Sequence, residues 1–292
     1  MPHTIRLRRS LLSPVLLAAL VTALLVGTPT PAGAAPAPSG PRQYYLSLGD
    51  SYGFGLQVIR WLQMLDAGTY TPDAFNTGYT DDLAATIRAR LRPDLQVVNY
   101  SCPATGVGDM LSPDGCFFQQ VGLALHDEFT GSQLDAATAF LRAHPGQVSP
   151  VTISVGGRDM AGAIFDCNAE PHCVAHSGAF QTIRTNLTRI LGELRAAAPT
   201  ADILLLLPHN GTIVDFPHDN PLWAAFVLEL RTIAAANHVR VANAFAAITL
   251  SGRTCELTDA CLPPDVSDSH PNDAGYAVMA QLFYDAAGYS QQ

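Results

Sequence analysis

Ser51 is the first candidate for a nucleophile in this chain. A short apolar run, Tyr44–Leu48, stops at Gly49-Asp50-Ser51, and two more glycines follow. This layout predicts a strand whose carboxyl end delivers one serine into a tight turn, and ligands of open α/β sheets bind at that edge. A serine there can attack a substrate if a base reaches it. The alternative is that Asp50 and Ser51 only cap the next helix.

A candidate base stands near the C-terminus, within Asp268-Ser269-His270-Pro271-Asn272. The proline and the asparagine interrupt regular structure, and a helix is predicted directly after them. His270 is therefore expected on a loop from which its imidazole can project into a cleft. A single histidine can equally be structural or merely exposed. A strand-end serine together with a loop histidine favours the catalytic interpretation, in which the imidazole removes the serine proton.

Four sequence blocks stand out along the chain: Gly49-Asp50-Ser51, Asn99–Ala104, Val151–Asp159 and His270-Pro271-Asn272. They resemble the blocks of the SGNH (GDSL) hydrolase superfamily of esterases and lipases. The blocks occur in the family's order, and the resemblance extends over roughly residues 43–287. It implies a secreted ester hydrolase of the bacterial type that forms an acyl-enzyme on Ser51, with His270 as the base.

The resemblance also implies an oxyanion hole with three donors. In the superfamily these are the backbone N–H of the nucleophile, a glycine N–H in the second block and an asparagine side chain in the third. Ser51 supplies the first donor. Ala104 stands where the family has glycine, with Gly106 two residues later as the alternative. Arg158 replaces the asparagine. Its guanidinium could donate to the oxyanion or bind a substrate carboxylate or phosphate, or it could swing outward and leave the hole weakened.

The residue that orients the histidine is left open by the sequence. The family's Asp-x-x-His pattern has Ser267 at the aspartate position. Asp268, two residues before His270, is the nearest acid and the first choice. Asp265 and a backbone carbonyl are the alternatives. Two further acids of these blocks are expected to be structural hydrogen-bond partners: Asp50 and Asp159.

Strand and helix signals alternate along the chain. Five short apolar runs are predicted as strands: Tyr44–Leu48, Gln96–Asn99, Val151–Val155, Ile203–Leu207 and Val239–Ala242. Five segments are predicted as helices: Asp81–Arg92, Ser132–Ala143, Ala179–Ala198, Pro221–Asn237 and Ala274–Ala287. Continuously apolar strands separated by helices indicate a parallel sheet covered on both faces. The predicted fold class is therefore α/β, a three-layer, flavodoxin-like α/β/α sandwich with a central, mostly parallel five-stranded sheet.

Three long connections are expected to build the substrate pocket, because long loops at strand ends do so in α/β enzymes. They are Tyr52–Tyr79, Ser112–Gly131 and Asp159–Ser177. The first carries an apolar cluster, Trp61–Leu65. Packing against the core is one interpretation of this cluster, and an apolar wall for an acyl chain is the other.

The N-terminus has the features of an export signal. Three arginines precede an apolar run, Leu11–Val26, and a small-residue cleavage site follows near Ala34. We predict a signal peptide over residues 1–34, a linker over residues 35–42 and the hydrolase domain over residues 43–292. The protein is then expected to be extracellular and bacterial. No other segment is long and apolar enough for a transmembrane helix.

The acidic composition bears on the partners. The formal net charge is −9, and the predicted signal peptide carries basic residues but no acids. Such a charge argues against nucleic acid or anionic membranes as partners. We expect a monomer that binds a small ester, a lipid or an acylated glycan, without a cofactor.

The six cysteines form three close pairs along the sequence. Six cysteines allow fifteen pairings, and an exported chain favours disulfides. Pairing in sequence order is predicted: Cys102 with Cys116, Cys167 with Cys173, and Cys255 with Cys261.

His172 and His176 flank Cys173 at helical spacing, but a solvated loop is the preferred interpretation and no metal site is predicted. His209, which follows the predicted strand ending at Leu207, is expected at the pocket rim.

Three functions compete. The first is a secreted serine esterase or lipase acting on acyl lipids or small apolar esters. The second is a polysaccharide acetylesterase with a shallow site. The third is a catalytically weakened protein that binds a glycan or lipid on the same fold, and Ala104, Arg158 and Ser267 motivate it. The presence of both Ser51 and His270 favours catalysis.

Overall fold

Five parallel strands form a single central sheet. The computed structural model describes residues 37–263 and 268–291. The strands are β1 (Tyr44–Gly49), β2 (Gln96–Asn99), β3 (Val148–Ser154), β4 (Ile203–Leu207) and β5 (Arg240–Asn243). Their order across the sheet is β2-β1-β3-β4-β5, and every neighbouring pair is parallel. The strand order reverses beside β1, which is where open α/β sheets place their ligands.

Helices cover both faces of the sheet. In chain order they are α1 (Ser51–Phe54), α2 (Val58–Asp66), α3 (Tyr79–Arg90), α4 (Phe117–Gln120), α5 (Gln133–Ala143), α6 (Gly157–Asp166), α7 (Pro171–His176), α8 (Ala179–Ala197), α9 (Asn220–Ala236), α10 (Thr254–Leu257) and α11 (Asp273–Ala286). α3 and α11 pack together on one face, and α5, α8 and α9 pack on the other. The predicted three-layer α/β/α sandwich is confirmed.

The structure corrects the predicted elements at a few places. β3 begins at Val148, three residues earlier than predicted, because Pro150 lies inside the strand where a proline argues against strand structure. The connection after Ser51 contains α2, and the connection after Asp159 contains most of α6 and all of α7. α2 packs its apolar residues at the pocket, whereas the buried residues of α6 and α7 join the main core beside the sheet.

The predicted signal peptide, residues 1–34, lies outside the described residues. Within the predicted linker, Ser39 donates from its backbone N–H to the Asp202 carboxylate at 3.1 Å. The Arg42 N–H donates to the Ser149 carbonyl at 2.9 Å. Ser39 is therefore already hydrogen-bonded to the folded domain, a few residues before the predicted boundary at residue 43. Among the residues that the structure describes, no helix is both long and apolar enough to cross a bilayer.

Candidate active site

Ser51 is presented by a sharp turn between β1 and α1. Gly49 has a φ of +117°, and a Cβ at this position would lie 1.8 Å from the Ser154 carbonyl oxygen, so only glycine fits. Asp50 is the N-cap of α1, and its side chain accepts the Tyr52 N–H at 3.1 Å. Ser51 is thus the first helical residue, and it lines a pocket above the carboxyl ends of the strands.

Asp50 is a structural partner of the turn. Its buried carboxylate accepts the Ser154 hydroxyl at 2.8 Å, and the Ser154 oxygen accepts the Gly53 N–H at 3.1 Å. Burial raises the pKa of Asp50 to about 7, although these hydrogen bonds act in the opposite direction. The expectation that Asp50 serves structure agrees with this geometry.

Gln133 holds the end of β1 in place and was not found by sequence reasoning. Its side-chain oxygen accepts the Gly49 N–H at 2.8 Å. Its amide nitrogen donates to the carbonyls of Gly49 at 3.0 Å and Tyr100 at 2.9 Å. One buried amide therefore joins the first sequence block to the second. A glutamine at the start of a predicted helix carries no signal for such a role.

The imidazole of His270 bridges Ser51 and Asp268. Its Nε2 lies 2.9 Å from Ser51 Oγ, and its Nδ1 lies 2.8 Å from Asp268 Oδ1. The His270 loop is fixed by the pairing of Pro271 with Thr258 and by Asn272, the N-cap of α11. The structure thus brings the predicted nucleophile, base and first-choice acid into one hydrogen-bonded row.

The surroundings of Asp268 favour its ionised carboxylate. Burial acts to raise the pKa of Asp268, but the hydrogen bond and the charge of His270 outweigh it and hold the pKa below its usual value. The other acid considered, Asp265, lies outside the described residues, as does Ser267. Among the described acids, Asp268 is the one within hydrogen-bond distance of the His270 ring.

Two backbone N–H groups at the pocket are free to donate. Within residues 37–263 and 268–291, neither the Ser51 N–H nor the Ala104 N–H has an acceptor. Both residues line the pocket. Ala104 has a φ of +64°, the left-handed conformation that favours glycine. Ala104 therefore holds the backbone conformation of a glycine in spite of its methyl group.

Gly106, the alternative donor, is directed elsewhere. It is buried, and its N–H donates to the Asp109 carboxylate at 2.8 Å. The next residue, Val107, donates to Asp159 at 3.0 Å. Gly106 does not line the pocket, and its role is to shape the loop. Ala104 is thus the residue of the second block with a free donor. Asp159 accepts a loop N–H, as expected of a structural partner.

Arg158 sits at the pocket edge as the second residue of α6. Its guanidinium lies 3.0 Å from Asp109, the acid that also accepts the Gly106 N–H. The side chain is 60 % exposed. The sequence left its direction open, and the structure places it beside an acid that sequence reasoning had not singled out.

The pocket has a cavity volume of about 310 Å³ and mainly apolar walls. These walls come from Leu56, Trp61, Pro103, Phe117, Phe118, Ala161 and Trp223. The Trp61 and Phe118 rings stack with their centroids 5.7 Å apart. Of the predicted apolar cluster, Trp61 thus belongs to the pocket, whereas Leu62 is 53 % exposed on the same helix.

The cysteine sulfur atoms lie at bonding distance in the three predicted pairs. The S–S distances are 2.09 Å for Cys102–Cys116, 2.05 Å for Cys167–Cys173 and 1.92 Å for Cys255–Cys261. The first pair joins the second sequence block to the start of α4, which carries Phe117 and Phe118. Among the described residues, no three His, Cys, Asp or Glu side chains gather in a metal-binding group.

His209 is not at the pocket rim, and that expectation was wrong. It is fully buried beneath the His270 loop, and its Nε2 lies 2.7 Å from the Ser269 carbonyl oxygen. His209 lies two residues beyond β4, at the carboxyl end of the sheet as predicted, but a side chain there can point into the molecule as well as into the cleft. His172 and His176 lie on α7, a helix and not the expected loop, with their rings 4.1 Å apart.

A sequence comparison agrees with this geometry. The profile of the GDSL-like lipase/acylhydrolase family matches residues 47–278, which include Ser51 and His270. The chain belongs to this family. Its members share the esterase and lipase class, so the protein is a hydrolase of the GDSL type. No curated protein sequence matches the chain significantly.

Solved structures share the fold of this GDSL hydrolase at low sequence identity. A putative GDSL-like lipase from Parabacteroides merdae aligns with a TM-score of 0.57 at 15 % identity, over 87 % of this chain and 99 % of that one. The acetylxylan esterase Axe2 of Geobacillus stearothermophilus gives 0.54 at 17 %, over 85 % and 95 %. The lipase Lip_vut3 from a goat rumen metagenome gives 0.55 at 17 %, over 84 % and 97 %.

Proposed function

We propose that this GDSL hydrolase is a secreted serine esterase that cleaves carboxylic esters with an apolar acyl group. The observation that carries the proposal is the hydrogen-bonded row from Asp268 through His270 to Ser51 at the mouth of an apolar pocket. Nucleophilic catalysis by serine requires a base within hydrogen-bond distance and a third group that orients the base.

In the acylation step, Ser51 Oγ attacks the ester carbonyl and His270 Nε2 takes the hydroxyl proton. Nε2 must then begin unprotonated, so the ring proton resides on Nδ1. Asp268 favours this tautomer, because its carboxylate accepts the Nδ1 proton at 2.8 Å. The same carboxylate stabilises the imidazolium that forms. His270 then returns its proton to the leaving alcohol.

The tetrahedral oxyanion is proposed to bind the N–H groups of Ser51 and Ala104. Both are without acceptors within the described residues and both border the pocket. Each preorganised donor is worth about 10²–10³ in turnover. Deacylation repeats the chemistry with water as the nucleophile, activated by His270, and it releases the acid and regenerates Ser51.

The walls of the pocket favour an acyl group longer than acetyl. The cavity of about 310 Å³ is at the lower end of small-molecule pockets, which span about 300–1,000 Å³. Each buried methylene contributes about 0.8 kcal/mol, or roughly fourfold in kcat/KM. A short or medium aliphatic chain against Trp61 and Phe117 therefore suits this site. An acetylesterase is the second candidate, since Axe2 shares the fold.

Export is proposed for the same protein. The sequence over residues 1–34 has the composition of a signal peptide, and three cysteine pairs at bonding distance suit an oxidising compartment. N-terminal sequencing of the protein from the culture supernatant tests this point. A mature N-terminus near Ala35 is expected, and recovery of the intact chain in the cytoplasm would contradict export.

The decisive experiment compares hydrolysis of p-nitrophenyl acetate, butyrate and decanoate by the wild type, Ser51→Ala and Ser112→Ala. Ser112 is a matched control, because it lies outside the pocket lining. Activity should be lost in Ser51→Ala alone. Unchanged hydrolysis by Ser51→Ala would refute the mechanism. A folded wild type without turnover on any ester would favour the glycan- or lipid-binding alternative.

A further inference from the structure

Within residues 37–263 and 268–291, the His209 side chain makes one hydrogen bond, to the loop that carries the candidate base. Its side chain is fully buried, and Nε2 lies 2.7 Å from the Ser269 carbonyl oxygen. A carbonyl oxygen only accepts, so the proton of His209 resides on Nε2. Ser269 lies between Asp268 and His270, and its carbonyl belongs to the peptide unit that leads into His270. The imidazole of His209 therefore fixes the backbone between the acid and the base.

The Tyr52 ring forms a second link between His209 and the His270 side chain. The Tyr52 ring stacks on His209 with centroids 5.3 Å apart and an interplanar angle of 18°. The same tyrosine meets the His270 ring edge-on, at 5.5 Å and 86°. Tyr52 directly follows Ser51, so the ring that contacts both histidines belongs to the turn that carries the nucleophile. His209 thus restrains His270 both through the backbone and through Tyr52.

His209 itself is held rigidly at the end of β4. The next residue, Asn210, donates its N–H to Thr249 Oγ1 at 2.9 Å and its side-chain amide to Asn220 at 2.8 Å. Asn210 also accepts the Thr212 N–H at 2.8 Å. The hydrogen-bonded segment after β4 is therefore the reference point for the loop that bears His270.

The environment keeps His209 uncharged. Burial lowers the pKa of His209 to about 4, and a positive charge on His270 acts in the same direction. A neutral imidazole donates a hydrogen bond without repelling the imidazolium that His270 becomes during catalysis. A lysine or arginine at this position would add that repulsion.

We propose that His209 is a positioning residue that holds His270 in line with Ser51 through the Ser269 carbonyl. This inference rests on the proposed catalytic role of the Ser51–His270–Asp268 row. His209 does not line the pocket, so its effect should fall on kcat and spare KM. A misplacement of about 1 Å can cost roughly 10²-fold in rate.

Two substitutions separate the hydrogen bond from ring packing. His209→Phe keeps a ring against Tyr52 but removes the donor, and kcat for p-nitrophenyl butyrate should fall about 10- to 100-fold with KM unchanged. His209→Gln loses the ring but keeps an amide N–H at a similar reach, and it should stay within about fivefold of the wild type. Equal losses in both variants, or a wild-type kcat in His209→Phe, would overturn the proposal.

A measurement on the wild type guards against variants that do not fold. In ¹⁵N-histidine NMR spectra at pH 7, His209 should appear as the Nε2–H tautomer. A His209 that carries its proton on Nδ1 would refute the inference. Ser51→Ala is assayed in parallel, because unchanged hydrolysis in that variant would refute the proposed function independently of His209.

Discussion

Arg158 and Asp109 form an ion pair of 3.0 Å at the pocket edge. The Asp109 carboxylate also accepts the Gly106 N–H at 2.8 Å, so it links the start of α6 to the loop that carries Ala104. The family's asparagine donates into the oxyanion hole, whereas the guanidinium here has an acid as its partner. Arg158 therefore takes part in a contact between α6 and this loop.

The pairing with Asp109 predicts a small catalytic contribution from Arg158. Arg158→Ala should lower kcat less than tenfold, well below the 10²–10³ expected for a lost oxyanion donor, because an exposed ion pair contributes at most about 1 kcal/mol. Arg158→Asn should raise kcat, since it restores an amide donor of the length that the family uses. Steady-state kinetics with p-nitrophenyl butyrate measure both changes.

The control for these variants is Arg189→Ala, which breaks a comparably exposed ion pair on α8. A loss of 10²-fold or more in Arg158→Ala, together with a lower kcat in Arg158→Asn, would show that the arginine turns into the hole when substrate binds.

Asp268 should be the acid on which catalysis depends. Asp268→Asn preserves the side-chain shape but offers an amide to His270 Nδ1, which stabilises the wrong tautomer, so kcat should fall by about 10³–10⁴. Asp265→Asn is the matched control, since the sequence alone allowed either acid, and it should keep near wild-type kcat. A large loss in Asp265→Asn with little loss in Asp268→Asn would reverse the assignment.

The sequence predicted most of the architecture because each strand is a short apolar run. Gln96–Asn99 and Ile203–Leu207 were predicted with their observed bounds. Ile203–Leu207 is apolar and buried throughout, as a strand covered on both faces of a parallel sheet must be. β3 was predicted too short, because Pro150 lies inside the strand and a proline argues against strand structure. The small helices α2, α6 and α7 were not predicted, and they lie largely in the segments expected to be long connections.

The site was predictable only where chemistry and spacing coincide. Ser51 and His270 stand in recognisable blocks, and proximity in sequence suggested Asp268. The direction of Arg158 and the burial of His209 depend on partners distant in sequence, Asp109 and Ser269, and no local pattern encodes those contacts. The sequence pattern of one chain therefore predicts which end of the sheet carries the site. It does not predict the direction in which each side chain points.

Trp61 should set the preference for longer acyl chains. It lines the pocket and stacks on Phe118, so Trp61→Ala removes apolar contact from the far end of a chain. We expect kcat/KM for p-nitrophenyl decanoate to fall about tenfold, which corresponds to about 1.4 kcal/mol of lost contact. The value for acetate should change less than threefold.

Leu62→Ala on the same helix is the matched control, because this side chain is exposed and lies outside the pocket lining. Equal losses on acetate and decanoate in Trp61→Ala would argue against an acyl-chain wall.

Asp50 should give the protein a stability that depends on pH. Burial raises the pKa of Asp50 to about 7 from a value of 3.8 in the unfolded chain. Between these values the folded state binds the proton and the unfolded state releases it. The contribution of Asp50 to the free energy of unfolding is therefore greatest at low pH and is lost as the pH rises toward 7. The effect amounts to a few kcal/mol.

Asp50→Asn isolates this contribution. Asparagine caps a helix as well as aspartate and still offers an oxygen to Tyr52 and Ser154. His209, with its pKa lowered to about 4, acts in the opposite direction because it favours folding at higher pH, but it is present in both proteins. Urea unfolding from pH 4.5 to pH 7.5 should therefore show the variant gaining stability over the wild type as the pH rises.

Asp66→Asn, an exchange at an exposed acid, is the control for the loss of a carboxylate. A difference between Asp50→Asn and the wild type that stays constant across this range would mean that Asp50 is ionised in the folded protein throughout.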